Sequence, residues 1–306
     1  MIPANDTKWL TRFKINITSN SNKIFGNGRH QLEVSVSLTP KAGNEVTEEQ
    51  LDTIRLVTLD DDGVYQPLSG ELQVTNERDT RFEYYADTGS APSPLLEAPS
   101  RRRRFYVSST RPGGSLDVIY AAISKDEDTH YVSHTSVFNA SETVETLTPL
   151  RLNRDDFTLL VEDNHEHKIG ATRWDYDIYQ LFLKSRHLRI VQSIPYGAKS
   201  GQPYYQKIEE EEDGWFLDGE TVWSWTHVAY EVSNIKTFRV PHVTLSVNRH
   251  PGSLLCIRIK TEGTVNLSGG RNTSSVWGLI DQYGNEHKVE MTQTSNGNLI
   301  DFVMAT

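Results

Sequence analysis

Residues 30–38 read HQLEVSVSL, and this stretch decides the fold class. Leu32, Val34, Val36 and Leu38 alternate with Glu33, Ser35 and Ser37, so an extended chain places the apolar side chains on one face and the polar ones on the other. A helix scatters the same residues around its axis, so the period of two predicts a half-buried strand. Asn27-Gly28 stands just upstream as a turn dipeptide that accepts positive φ. Most of the chain repeats this order of alternating strand, polar turn and alternating strand, which predicts an all-β protein.

Working outward, the N-terminal half supplies further strands at 14–18, 54–57, 105–109, 116–124, 131–138 and 144–147. With short strands in 64–85, the total of about nine or ten is enough for one complete two-sheet sandwich. Residues 105–124 read as a hairpin around Arg111-Pro112-Gly113-Gly114, and Thr47-Glu48-Glu49-Gln50 has the spacing of a helix capping box. Residues 86–104 form the most loop-like stretch, rich in proline and closing in Arg101-Arg102-Arg103-Arg104. The run is expected to be an exposed loop whose charges blunt a strand edge, with an anion-binding patch or a protease site as the alternatives.

The first half resembles the bacterial immunoglobulin-like modules of the invasin and intimin kind. The matching residues are Gly26-Asn27-Gly28, the alternating Leu32, Val34, Val36 and Leu38, and Gly43-Asn44, within Lys14 to Leu59. Such a resemblance implies a β-sandwich used for display, spacing or adhesion, and it implies no catalytic residues.

A boundary is expected around Pro149, between a first domain of residues 1–150 and a second of 151–306. The fold expectation is therefore two β-sandwich domains in tandem, Ig-like or jelly-roll-like. In the second half, Arg173 to Leu183 fits either a strand or a helix, and its aromatic content favours the strand. Thr221 to Val232 reads as a long strand whose Trp223 and Trp225 belong to a core. The chain closes as a meander with turns at Tyr283-Gly284-Asn285 and Asn296-Gly297.

Composition limits the function. A net charge of −10 argues against nucleic acid as the main partner, because phosphate binding needs a basic face. The single cysteine, Cys256, excludes an intrachain disulfide and lies in the apolar run LLCIRIK, as a buried strand residue would. No apolar run approaches a membrane span, and the opening MIPANDTKWLTRF has no basic leader and apolar core. Synthesis in the cytoplasm without a signal peptide is expected, any release following a non-classical route.

Three functions remain. No nucleophile–base spacing or cofactor motif stands out and no cofactor is expected, so the leading expectation is a non-enzymatic, self-associating or surface-displayed subunit of a bacterial or phage-derived particle. The second is carbohydrate binding, with Tyr204, Tyr205 and Trp215 as platforms for a glycan and Asp213 and Asp218 as hydrogen-bonding partners. The third is a metal-dependent hydrolase. Asp163, His165 and His167 share a phase if extended and carry the ligand types of a zinc site, although residues 162–168 also read as a hydrophilic turn.

Overall fold

The computed structural model describes residues 3–86, 101–210, 222–232, 237–240, 243–246, 250, 252–263, 271–294 and 297–306. Strands take up 55% of the chain, and among the described residues no sheet closes into a barrel. The chain divides into two compact units. The first comprises Met1–Leu150 with Tyr283–Asn285; the second comprises Arg151–Gln282 and Glu286–Thr306.

The first unit contains β1 (Leu10–Ile17), β2 (Lys23–Phe25), β3 (Leu32–Pro40), α1 (Glu48–Asp52), β4 (Arg55–Leu59), β5 (Tyr65–Pro67), β6 (Leu72–Thr75), β7 (Arg101–Ser109), β8 (Leu116–Ser124), β9 (His130–Val132) and β10 (Glu142–Leu147). One sheet runs β1-β3-β7-β6; the other runs β2-β10-β8-β4-β5, with β9 also paired to β8. Alternation decides which side chains meet. Phe13, Ile15, Val34, Val36, Leu38 and Val107 from the first sheet pack with Ile24, Leu56, Ile119, Ala121, Ile123 and Val144 from the second. Two sheets sharing one apolar interior make a sandwich, and each fully buried side chain contributes about 1.5–3 kcal/mol.

Thr47 caps α1 as its spacing predicts: its side chain accepts from Gln50 N, and the Gln50 side chain accepts from Thr47 N. Three expectations fail. Residues 131–138 are not one strand, because β9 ends at Val132 and the chain turns there, with Thr135 N donating to Val132 O and Phe138 N to Thr135 O. The arginine run is not a loop, because β7 begins at Arg101 and pairs Arg101 with Leu38 and Arg104 with Ser35. Of the expected loop, residues 87–100 lie outside the described residues. Nor do residues 105–124 form a hairpin: β7 pairs with β3 and β6, whereas β8 pairs with β10, β4 and β9. The Pro112-Gly113-Gly114 turn instead carries the chain from one sheet to the other. A Cβ on Gly113 would lie 1.9 Å from Thr148 Oγ1, so only glycine fits this passage.

The second unit contains β11 (Phe157–Ile169), β12 (Thr172–Leu183), β13 (Ile190–Tyr196), β14 (Pro203–Glu210), β15 (Val222–Tyr230), β16 (Thr237–Val240), β17 (Val243–Ser246), β18 (Leu254–Gly263), β19 (Arg271–Asn272), β20 (Val276–Asp281), β21 (Glu286–Thr294) and β22 (Leu299–Met304). A six-stranded sheet runs β11-β12-β18-β15-β14-β19, a four-stranded one runs β13-β20-β21-β22, and β16 pairs with β17. Arg173 to Leu183 is therefore strand, and the C-terminal strands form the expected meander. Tyr179, Leu181, Leu254, Cys256 and Trp225 of the larger sheet share a core with Trp277, Leu279, Val289, Met291, Ile300 and Phe302 of the smaller.

Candidate functional site

The larger sheet of the second unit carries a cluster of titratable groups on one face. Its register sets Asp177 opposite Arg258 and Arg258 opposite His227. One step further along, Asp175 faces Lys260, which faces Trp225; one step beyond that, Arg173 faces Glu262. Residues directly opposite share a face, so these rows continue the face on which Tyr179, Cys256 and Ala229 enter the core. The same strands are thus apolar at one end of this face and charged at the other.

Arg258 holds the centre. Its side chain is 5% exposed and that of Asp177 is 6% exposed. The guanidinium donates from Nε and Nη2 to Asp177 Oδ2, from Nη2 to Asp175 Oδ2 at 2.9 Å, and from Nη1 to Asn298 Oδ1 at 3.3 Å. Burial alone would lower its pKa, but Asp177 and Asp175 outweigh that and raise it. The guanidinium makes these four contacts with its five donors, one more than the three donors of a lysine ammonium allow.

His227 is fully enclosed beside it. Its Nε2 donates to Gly297 O at 2.8 Å, and the Tyr205 ring lies 4.8 Å from the imidazole. Burial, assisted by the positive charge of Arg258, lowers its pKa to about 4, so the ring is neutral near pH 7. Gly297 sits at φ +88°, and a Cβ there would meet the Tyr205 ring at 2.6 Å; the turn before β22 reaches the imidazole only because it has glycine at this point. Lys207 Nζ and Lys260 Nζ lie 5.8 and 5.9 Å from the Trp225 ring centroid. Toward the end of the sheet, Glu166, Arg173, Asp175, Lys260 and Glu262 line a shallow pocket, with Arg173 paired to Glu166 at 2.6 Å.

The charged groups of this cluster are engaged with one another. Among the described residues of this face, the two aspartates are engaged by Arg258, the imidazole is neutral and enclosed, and burial pushes the Cys256 thiol well above its ordinary range. An acid–base or nucleophilic step needs a titratable group near its pKa and within reach of substrate.

The residues expected from sequence fall elsewhere. Tyr204 and Tyr205 are 5% and 7% exposed and belong to the core, so they are not the glycan platforms their Gly- and Glu-rich surroundings suggest. A bulge between Pro203 and Tyr205 turns both rings inward. Asp213, Trp215 and Asp218 lie outside the described residues. The stretch 162–168 is not a turn but the C-terminal half of β11. His165 and His167 pair with Tyr176 and Trp174, and a bulge separates Glu162 from His165. Of Asp163, His165 and His167, only the side chain of His167 is described, with its ring 6.3 Å from that of Trp174. Among the described residues no group of three metal-ligating side chains converges.

Sequence reasoning missed Arg258 and His227. The available signal was Arg258 between Leu254-Leu255-Cys256-Ile257 and Ile259, a charge within an apolar run, together with Asp175 and Asp177 in one phase of another strand. Such a charge is retained when a partner of opposite sign shares its face.

No protein-family model matches the chain, and no curated protein matches it. Among solved structures, the chain is similar to one described as a membrane-anchored protein from Corynebacterium diphtheriae, at 10% identity and a TM-score of 0.17. That match covers 97% of this chain and 57% of the other. Among the described residues, no helix is long and apolar enough to cross a membrane.

Proposed function

We propose that this protein is a non-enzymatic structural and binding protein, made of tandem sandwiches, that joins copies of itself through open sheet edges. The observation that carries this reading is β11. It is the end strand of its sheet over 13 residues, and among the described residues no strand pairs with its other side. An unpaired edge of that length is a template for strand addition. Val161 and Ile169 are each 46% exposed along it, and the bulge between Glu162 and His165 divides it into two straight runs. The charged cluster supports the same reading, because its groups are consumed by one another.

The strand order of the first unit favours the immunoglobulin-like assignment. With β1, β3, β7 and β6 read as A, B, E and D, the second sheet reads A′-G-F-C-C′, and the parallel pairing of β2 with β10 falls where A′ meets G. Modules of this kind serve as spacers and contact surfaces, which fits a displayed or assembling subunit.

Light scattering coupled to gel filtration, with negative-stain microscopy of the same fractions, tests the proposal. The expected result is a particle of several 34.8 kDa copies that Val161→Lys with Ile169→Lys returns to monomers. A wild-type monomer at the highest concentration reached overturns it.

A further inference from the structure

The outward face of the first unit's β1-β3-β7-β6 sheet is basic, in a chain whose net charge is −10. The register builds this face row by row. Lys14 lies opposite Ser37, which lies opposite Arg102; Asn16 lies opposite Ser35, which lies opposite Arg104; Arg12 follows beside Thr39. The arginine run is thereby divided by strand alternation. Arg101 and Arg103 take the other phase and pair with Glu48 and Asp52 around α1, at 2.8–3.0 Å. Arg102 and Arg104 take the outward phase.

Two rows of cations thus flank a row of serines. Ser35 and Ser37 are only 8% and 7% exposed although they point outward, as befits small side chains between long ones. Adjacent strands are about 4.8 Å apart, so β1 and β7 stand roughly 10 Å apart across β3, a width that admits a single extended chain. The Arg104 and Lys14 side chains are exposed to solvent, and Arg12 Nε is buried with no hydrogen-bond partner among the described residues. The acid on this face, Glu33, is occupied at one end: Thr18 Oγ1 and Tyr84 OH donate to it at 2.8 and 3.1 Å, and Arg104 Nε lies 3.7 Å away.

We infer that this face binds a linear sulfated polysaccharide, laid along the serine row between Arg12 and Lys14 on one side and Arg102 and Arg104 on the other. Sulfates separated by a sugar repeat match cations spaced about 7 Å along a strand. A single-stranded nucleic acid fits less well, because it needs aromatic platforms among the cations. Here the aromatics stand at the Glu33 end: Tyr106 is opposite Glu33, and Tyr84 donates to Glu33 while its ring is covered by the Arg78 guanidinium at 4.1 Å.

The test is binding of the full chain to dextran sulfate, with neutral dextran and a single-stranded oligonucleotide as controls. Dextran sulfate is expected to bind, and to weaken by more than about tenfold between about 50 and 200 mM NaCl as counterion release requires. Arg102→Ser with Arg104→Ser should lower affinity by about tenfold or more, whereas Arg101→Ser with Arg103→Ser, an equal change in charge, should leave it within about threefold. Lys14→Glu with Arg12→Glu on β1 should reproduce the loss without altering β7, with near-ultraviolet circular dichroism verifying the fold of each variant. No binding at low salt, equal losses from both arginine pairs, or tighter binding of the oligonucleotide overturns the inference.

Discussion

Arg258 shows how one residue can be indispensable without being a net gain. Burying it with Asp177 costs desolvation on both sides, and their attraction offsets that cost only while both are present. Arg258→Met therefore leaves a carboxylate enclosed and uncompensated, and is expected to destabilise the second unit by about 3–5 kcal/mol, read as a shift of the urea midpoint. Arg258→Met with Asp177→Leu should recover most of that loss; failure to recover would show that Arg258 acts through packing instead. His227 gives a pH dependence of known sign. The unfolded chain protonates this imidazole near pH 6.5, whereas burial holds the folded value at about 4. Between those values the unfolded state binds more protons, so stability rises with pH. The contribution is complete above about pH 6.5 and is lost as pH falls through about 4, roughly 3 kcal/mol in all. His227→Gln, which can still donate to Gly297 O, should flatten the stability profile across that window relative to wild type. An unchanged profile would place the titrating group elsewhere.

At the scale of elements, alternation governs both units. β7 carries four arginines yet remains a strand between β3 and β6, because its odd residues continue into Phe105 and Val107 in the core. The period of two then sends Arg101 and Arg103 toward the acids of α1 and Arg102 and Arg104 outward. Those exposed ion pairs contribute little stability, of order 0–1 kcal/mol each, so their role is to place the short helix. In β12, Asp175 and Asp177 take the phase of Tyr179 and Leu181, and the strand changes from charged to apolar along its own length. A strand of this kind reads as irregular in sequence, although each of its residues obeys the pattern of its sheet.

For the whole molecule, the two units have separate cores. The first core cluster is drawn entirely from residues between Trp9 and Val144, and the second from residues between Phe157 and Phe302. Each core is shared by two sheets and includes several fully buried large side chains, so each holds enough apolar contact to fold cooperatively. A fragment of residues 1–150 is expected to unfold in one cooperative transition and to show near-ultraviolet dichroism from Trp9, whose ring lies 5.3 Å from that of Tyr131. A fragment lacking both signals would mean that the first core is not self-sufficient.

The sequence by itself determined the all-β class, most of the strands, the capped turn of helix at Thr47 and the burial of Cys256. These depend on neighbours in the chain: period-two alternation, turn dipeptides and capping spacing act within a few residues. Only the tertiary structure decided which strands pair, and every functional conclusion followed from that. Residues 105–124 looked like a hairpin because two strands flank a glycine-rich turn, but sheet membership is set by partners far away, and β7 and β8 belong to different sheets. Tyr204 and Tyr205 looked exposed because their neighbours are polar, yet one bulge directs both rings inward. Arg258 meets Asp177 across 81 positions of chain, and Lys14 faces Arg102 across the whole of β3. Charges separated that far acquire meaning only from register, because the period of a strand specifies the face and its partners specify the site.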